Sequence, residues 1–400
     1  MKNIHPFKLL IIVFRNIENV LLLLAITFIY SCKPIQNLKN ESVIFKGDFS
    51  TGNKPVYNPS HKTIFIIADN KQTELFDMLA PYYLFNATGQ ANVYIIAKDT
   101  SPILLKKDLY ILPQYTFNEI DVLNLQADVI VIPALSIRDE HQDPILINWI
   151  KKHFNSNTKM LAVCDGSATA AATGLYDGKP LTTHASDYVA VKAHFSKPDW
   201  IQGVSVTQSG NLFSTAGVSN AVEGSLTIIN ELFGPVILQN VSLNIHYPHA
   251  EIRVAHQSIA LNGKTKLTIA KKIIFRKNKK IAVLLENGIN EFEMASFIDT
   301  YGRSFPASLQ PITPNDSPVS TKYGLTLLCT TNLKFTEPDE LHLLTPATLS
   351  VKDQHLFRHT RLISHENLQQ QYPIDVCLDE IGKQYGHKFR QAVKLLLDYN

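Results

Sequence analysis

The run Val163-Cys164-Asp165-Gly166-Ser167 sets a thiol between a strand-forming stretch, Lys159 to Val163, and a run of small residues, Ala168-Thr169-Ala170-Ala171-Ala172. This is the layout of a nucleophile elbow. A sharp strand-to-helix turn forces the nucleophile into a strained backbone conformation, and small neighbours such as Gly166 and Ser167 let the chain close around it. A thiol at a helix N-terminus also meets the helix dipole and free backbone N–H groups, which favour the thiolate and can hold a developing oxyanion. A lone cysteine is more often a buried, inert residue, but strand, small residues and helix together favour the elbow. The chemistry within its reach is thiolate attack on an electrophilic carbon.

The elements that must position this thiol are written around it. Short apolar runs without strict alternation, such as Thr63-Ile64-Phe65-Ile66-Ile67, Asn92-Val93-Tyr94-Ile95-Ile96 and Val129-Ile130-Val131-Ile132, alternate with helical stretches at Glu74 to Phe85 and Pro144 to Phe154. Strands apolar on both faces are covered on both faces, so the pattern predicts a parallel sheet between helices. The expected fold is a flavodoxin-like three-layer α/β sandwich. Ile281-Ala282-Val283-Leu284-Leu285 then repeats the first strand, and Asp77 and Glu293 hold one place in two strand-helix units (293 − 77 = 216). The runs starting at Leu109 and Leu325 keep that offset. The helices from Glu223 to Gly234 and from Asp375 to Gly386 match at 375 − 223 = 152, so the second copy is shorter by 64 residues. The missing stretch is expected to cover the helix, elbow and cysteine of the first copy, which leaves the second copy truncated and without a nucleophile.

The 400 residues exceed one ordinary core, and the apolar share of 45% with 18% charged residues is that of a globular protein. A mean hydropathy of −0.02 excludes a polytopic membrane protein. The formal net charge is +3, partly from Lys2, Lys8 and Arg15, so no basic field for nucleic acid exists. Basic residues followed by the apolar run Val20 to Ile29 and by Tyr30-Ser31-Cys32 have the shape of a secretory signal, and Ile29, Ser31 and Cys32 resemble a bacterial lipoprotein box. That reading makes Cys32 a lipidation site and gives the chain a membrane partner through a lipid or signal anchor, in the cell envelope. Residues 1–32 are then the leader, 33–60 a polar tether, 61–240 the first domain, 241–278 a connector and 279–400 the second copy. Beyond Cys32 the cysteines are Cys164, Cys329 and Cys377. Three is an odd number, so at least one thiol must stay outside any intramolecular disulfide, and Cys164 is the candidate.

Four segments taken in order carry a family resemblance: Cys164-Asp165-Gly166-Ser167, Ala172-Thr173-Gly174-Leu175-Tyr176-Asp177-Gly178-Lys179, Leu181-Thr182-Thr183-His184 and Ser214-Thr215-Ala216-Gly217-Val218-Ser219. Roughly residues 61 to 235 resemble the ThiJ/PfpI superfamily, which is class I glutamine amidotransferase-like in fold. Within it they are similar to the branch holding isocyanide hydratases and the N-terminal domains of AraC-type regulators. The resemblance implies that Cys164 is the reactive cysteine. It also implies that Asp77, four residues before Pro81 on the first helix, is the acid that hydrogen-bonds the thiol. Apolar neighbours in Phe76-Asp77-Met78-Leu79 favour a buried acid there, whereas Glu74, one turn earlier, is expected to face water. Asp165, Gly166, Thr183, His184, Gly217 and Glu74 are the implied binding residues.

Departures from the family pattern shape the expectation. Asp165 stands where the isocyanide hydratases have threonine, and an anion beside a thiolate opposes it unless the side chain points away. Protease-like members carry histidine at that place, so protease or deglycase chemistry is not expected. Ala185 replaces the aromatic residue that usually follows His184, and His184 is itself as readily a structural loop histidine. Ala221 and Glu223 replace the family's glycine and aspartate. His355 and His359 are read as sharing one helical face with His365 near, but no carboxylate motif accompanies them and no phosphate loop is present, so neither metal nor cofactor is expected. Two functions follow: a thiol-dependent small-molecule hydratase or lyase, or a ligand-binding or redox-sensing envelope protein related to a regulator's effector domain. A homodimer is a further expectation from the resemblance.

Overall fold

The computed structural model describes residues 44–136, 143–252, 255–256, 259–345 and 355–399; the leader and Cys32 lie outside the described residues. The first unit runs β1 (Lys62–Ile67), α1 (Leu75–Ala87), β2 (Ala91–Ala97), β3 (Ile103–Lys106), β4 (Leu109–Ile111), β5 (Tyr115–Thr116), α2 (Phe117–Leu123), β6 (Val129–Ile132), α3 (Pro144–His153), β7 (Lys159–Ala162) and α4 (Gly166–Ala172). It continues with β8 (Pro180–Leu181), α5 (Tyr188–His194), β9 (Asp199–Trp200), β10 (Val206–Ser209), β11 (Leu212–Thr215) and α6 (Ala221–Asn244). Its main sheet has the order β10-β11-β7-β6-β1-β2-β5, parallel except for β10 against β11. β1 feeds β2 on one side while β6 and β7 lie on the other, so the chain reverses direction between β1 and β6. In such sheets the crevice at the carboxyl ends beside that reversal is where ligands bind.

The β-branched runs bury both faces, as their lack of alternation requires. Ile64, Ile66, Val93, Val129 and Val131 pack towards α1 and α6, while Phe65, Ile67, Tyr94, Ile130 and Ile132 pack towards Trp149 of α3 and the alanines of α4. Each such side chain contributes roughly 1.5–3 kcal/mol of burial.

The second unit follows α7 (Gly263–Phe275) as β12 (Lys280–Leu284), α8 (Glu291–Gly302), β13 (Ser308–Ile312), β14 (Val319–Ser320), β15 (Thr326–Cys329), β16 (Glu340–Leu343), β17 (Arg361–Ser364), α9 (Pro373–Tyr385) and α10 (His387–Leu396). Its parallel sheet, β13-β12-β16-β17, repeats the order β2-β1-β6-β7. The strand before the elbow is therefore kept as β17. Most of what the second unit lacks lies after that strand, since the offset is 361 − 159 = 202 there and 152 beyond: from Ser364 the chain passes through a short 3-10 turn, Glu366–Gln369, straight to α9, with no counterpart of α4 or β8 to β11.

The units pack as two copies related by a local two-fold. α1 lies against α8, with Phe76 and Tyr83 both in ring contact with Phe292. β4 pairs antiparallel with β15, and Ile111 meets Leu327, its own repeat mate at the 216 offset. A residue that pairs with its own counterpart sits on the symmetry axis of an isologous interface. Ile281, Val283 and Phe297 join Ile64, Met78 and Leu161 in one continuous apolar core. The 152 offset holds to the chain's end: α6 is broken at Gly234 (φ 81°, ψ 173°) as α9 and α10 are separated by Gly386 (φ 93°, ψ 159°). His246 and Asp398, again 152 apart, both take positive φ.

Part of the expected tether is not extended away from the domain. Phe45 packs edge-on to Tyr110, Asn53 donates to the Gly324 carbonyl at 3.2 Å, and Lys54 pairs with Glu119. Residues 44–60 lie across both units because the β3-β4 and β14-β15 hairpins expose an apolar patch of Leu104, Tyr110, Leu112 and Leu328 that Phe45 covers.

Candidate active site

Cys164 follows β7 at the carboxyl edge of the sheet, with φ 55°, and is 4% exposed. A non-glycine residue in this left-handed region costs on the order of 1–2 kcal/mol and persists where the surrounding structure fixes it. Gly166 supplies the fixing: a Cβ there would lie 2.0 Å from the Ile132 carbonyl oxygen, so the turn closes directly onto the neighbouring strand. Gly166 N–H donates to Val163 O at 2.8 Å and Ser167 N–H to Cys164 O at 3.2 Å, which starts α4. The Asp165 carboxylate accepts the Thr183 hydroxyl at 3.0 Å, and the same hydroxyl lies 3.3 Å from Cys164 O. Thr183 thus braces the elbow and engages the carboxylate that follows the nucleophile.

Asp77 is fully buried on α1. Its Oδ2 accepts the Ala134 N–H at 3.1 Å, while Oδ1, the oxygen left for a thiol, makes no hydrogen bond among the described residues. Burial, then Glu74, and then Asp165 and Asp299 push its carboxyl well above the usual range, against the Ala134 N–H. Burial and the neighbouring acids thus favour the protonated form of Asp77.

Glu74 does not face water as expected. It is the N-cap of α1, where Oε2 accepts the Asp77 N–H at 2.7 Å, and its side chain is 17% exposed. Burial first and Asp299 second raise it to about 7, opposed by Arg303, the Asp77 N–H and Lys106. The second unit covers it: Arg303, at the end of α8, places Nη2 3.8 Å from Glu74 Oε1 and pairs Nη1 with Asp299. Arg303 Nε also donates to Leu396 O at 3.0 Å. Burial works against this guanidinium, but Asp299 and Glu74, and more weakly Cys164, hold it above its ordinary value.

His184 is turned into its own loop, with Nδ1 2.7 Å from the Ser186 hydroxyl, and is buried. Gly217 is where the chain's last turn docks, since a Cβ there would come within 2.1 Å of Asp398 Cβ. Asp398 accepts the Ala185 N–H at 3.3 Å and pairs with His256 Nε2 at 2.8 Å, while Ser219 donates its hydroxyl to Asp398 O and its N–H to Leu397 O. The loop after β8 and the loop after β11, two implied walls of the pocket, are thereby bridged by the tail of the second unit. An open cleft does lie at the ends of β1 and β2, lined by Ala68, Asp69, Lys98 and Asp143, but Cys164 and Asp77 are not among its walls. The thiol is buried outside that cleft.

Cys164, Asp165, Gly166 and Thr183 thus come together at the elbow, Asp77 and Glu74 form one acid pair on α1, and His184 and Gly217 lie beneath the tail. Arg303, Asp299, Lys106, Asp398 and His256 were missed by the sequence reading. The 216 offset pointed to α8 as the counterpart of α1, but nothing in the spacing says that its last residue reaches Glu74. His355 starts a 3-10 turn that ends at Phe357, so His355 and His359 share no helical face, and His365 is buried against His342.

Residues 61–231 match the DJ-1/PfpI family. Isonitrile hydratase of Pseudomonas putida is 28% identical over 180 residues, 45% of this chain and 76% of that protein. The Parkinson disease protein 7 homolog of Danio rerio is 22% identical over 175 residues, 43% of this chain and 90% of that protein. Among solved structures, Drosophila melanogaster DJ-1beta aligns with a TM-score of 0.41 at 20% identity, over 46% of this chain and 96% of its own. A ThiJ/PfpI protein of Pseudomonas syringae aligns at 0.41 and 20%, over 50% and 84%. The elbow, the buried acid and these sequence matches agree that residues 61–231 of this chain are a DJ-1/PfpI family domain.

Proposed function

We propose that the first unit is a cysteine-dependent small-molecule hydratase or lyase, with an isonitrile-like substrate. The observation that carries this reading is a strained elbow thiol at the end of β7 beside a buried acid held on the Ala134 N–H at the end of the neighbouring β6. In an isonitrile hydration, Cys164 Sγ would add to the terminal carbon, and the Asp77 proton would pass to that carbon to give a thioimidate. Water would then add to the same carbon, one of its protons passing to the nitrogen and the other back to Asp77, and the C–S bond would break to return the Cys164 thiolate and release an N-substituted formamide, a net gain of one water. The name of the Pseudomonas putida relative supports that substrate class at 28% identity.

The test is formamide production from cyclohexyl isocyanide by the full chain and by Cys164→Ser. Turnover that vanishes in Cys164→Ser supports the enzyme. No turnover by the wild type with any isocyanide, together with ligand-induced thermal stabilisation equal in both forms, supports the second reading, a binding or sensing domain. That second reading is favoured by the tail seated on Gly217 and Ala185, which a ligand would have to displace. The same proposal places the protein in the cell envelope, on the basis of the leader ending at Cys32.

A further inference from the structure

Five ionisable side chains from both units meet in one buried patch beside the elbow. Glu74 and Asp77 come from α1, Asp299 and Arg303 from α8, and Lys106 from the end of β3. Asp299 is 2% exposed, and one of its oxygens makes no hydrogen bond among the described residues. Lys106 is half-buried; burial depresses it, while Asp299 and Glu74 oppose that and Arg303 adds to it. Facing the patch from the elbow are Cys164 and Asp165, which act on Arg303 and Asp77 respectively. The patch proper has three carboxyl groups and two cations. Burial of a net charge is expensive, so the third carboxyl keeps a proton. Arg303 touches Glu74 and Asp299, and Lys106 acts on the same two acids, whereas no ion pair joins either cation to Asp77 among the described residues. The proton therefore falls to Asp77.

We propose that Arg303, supplied by the second unit, is a positioning residue for the Cys164 chemistry: paired with Glu74 and Asp299, it leaves Asp77 as the acid that holds the shared proton, and its charge favours the Cys164 thiolate. The second unit is then part of the active site and not an appendage, and the proposal rests on the reading of Cys164 as the reactive thiol. Arg303 also ties the arrangement to the tail through Leu396 O.

The experiment uses the full chain in a Cys32→Ser, Cys329→Ser, Cys377→Ser background and follows two signals against pH. One is the rate of Cys164 alkylation by iodoacetamide; the other is the protonated-carboxyl C=O band in infrared difference spectra, assigned to Asp77 by its loss in Asp77→Asn. Arg303→Gln is expected to raise the alkylation midpoint by about one pH unit, a roughly ten-fold slower rate at pH 7, and to add a second protonated-carboxyl band. Arg303→Lys is expected to restore the charge in part, without the forked contact. Asp299→Asn is expected to move the midpoint the opposite way, which a merely loosened structure would not do. Midpoints and bands unchanged in Arg303→Gln and Asp299→Asn overturn the proposal. If Arg303→Gln does not fold, Asp299→Asn alone decides by the sign of its shift. Failure of every isocyanide to turn over would sink the hydratase reading while leaving both signals readable. Alkylation no faster than that of a free thiol, with no dependence on Asp77, would sink the reading of Cys164.

Discussion

The carboxyl end of β7 in the first unit and that of β17 in the second occupy the same place in matching sheets and end in different chemistry. After β7 the chain turns through Cys164 at positive φ into α4; after β17 it turns through His365, at φ −115°, into a 3-10 turn. Val131 pairs with Ile66, and His342 pairs with Val283, so the second unit carries a histidine where the first carries a core valine. His365, the first residue past β17, likewise stands where Val163 stands past β7. The two histidines hydrogen-bond at 2.7 Å and stack at 4.9 Å, with Glu380 3.3 Å from His365 and accepting the Tyr301 hydroxyl at 2.6 Å. Burial, and more weakly His365, hold His342 below its ordinary value, with Glu340 opposing. The frame is shared, then, and the elbow depends on what is inserted after one strand. Without an elbow to present, the second unit buries a histidine pair at that end of its sheet and sets Arg303 and its tail against the first.

The comparison breaks most sharply at the thiols. Cys164→Ala should abolish both isocyanide turnover and alkylation at position 164. The matched change Cys377→Ala, at a thiol whose pKa is pushed well up by burial and Glu380, should leave both within about two-fold, as intact-mass labelling would show. Gly166→Ala comes next. A methyl 2.0 Å from a strand carbonyl must move backbone, so a loss of roughly 3 kcal/mol or more in urea unfolding is expected. Retention of stability there would mean that the elbow is not braced by β6.

Deleting residues 397–400 removes the bridge between Ala185 and Ser219, and should speed Cys164 alkylation about ten-fold or more while lowering Tm by a few degrees. An unchanged rate would show that the tail is not the cover. The smallest effect compares the acids at matched positions. Glu293, counterpart of Asp77, is raised by burial to about 7, against Lys322 and Asn290. A raised folded pKa means stability present in full below the unfolded value near 4.5 and lost as pH rises through about 7. Glu293→Gln should therefore raise Tm by a few degrees at pH 8 relative to wild type and leave it nearly unchanged at pH 4. Equal shifts at both pH values would place Glu293 in water.

Local rules determined much of this protein. The uninterrupted β-branched runs specified strands covered on both faces, the Cys164-Asp165-Gly166 turn specified an elbow, and the two offsets specified the repeat, because each depends on neighbours in sequence or on direct copying. They also made Asp77 legible as a buried acid from its apolar neighbours. What tertiary structure decided is which charges share a dry patch: Glu74 was read as solvated because nothing near it in sequence covers it, and its cover, Arg303, lies 229 positions away (303 − 74). Electrostatics in a low-dielectric interior depends on distance in space and on the total charge enclosed, and neither is written in spacing along the chain.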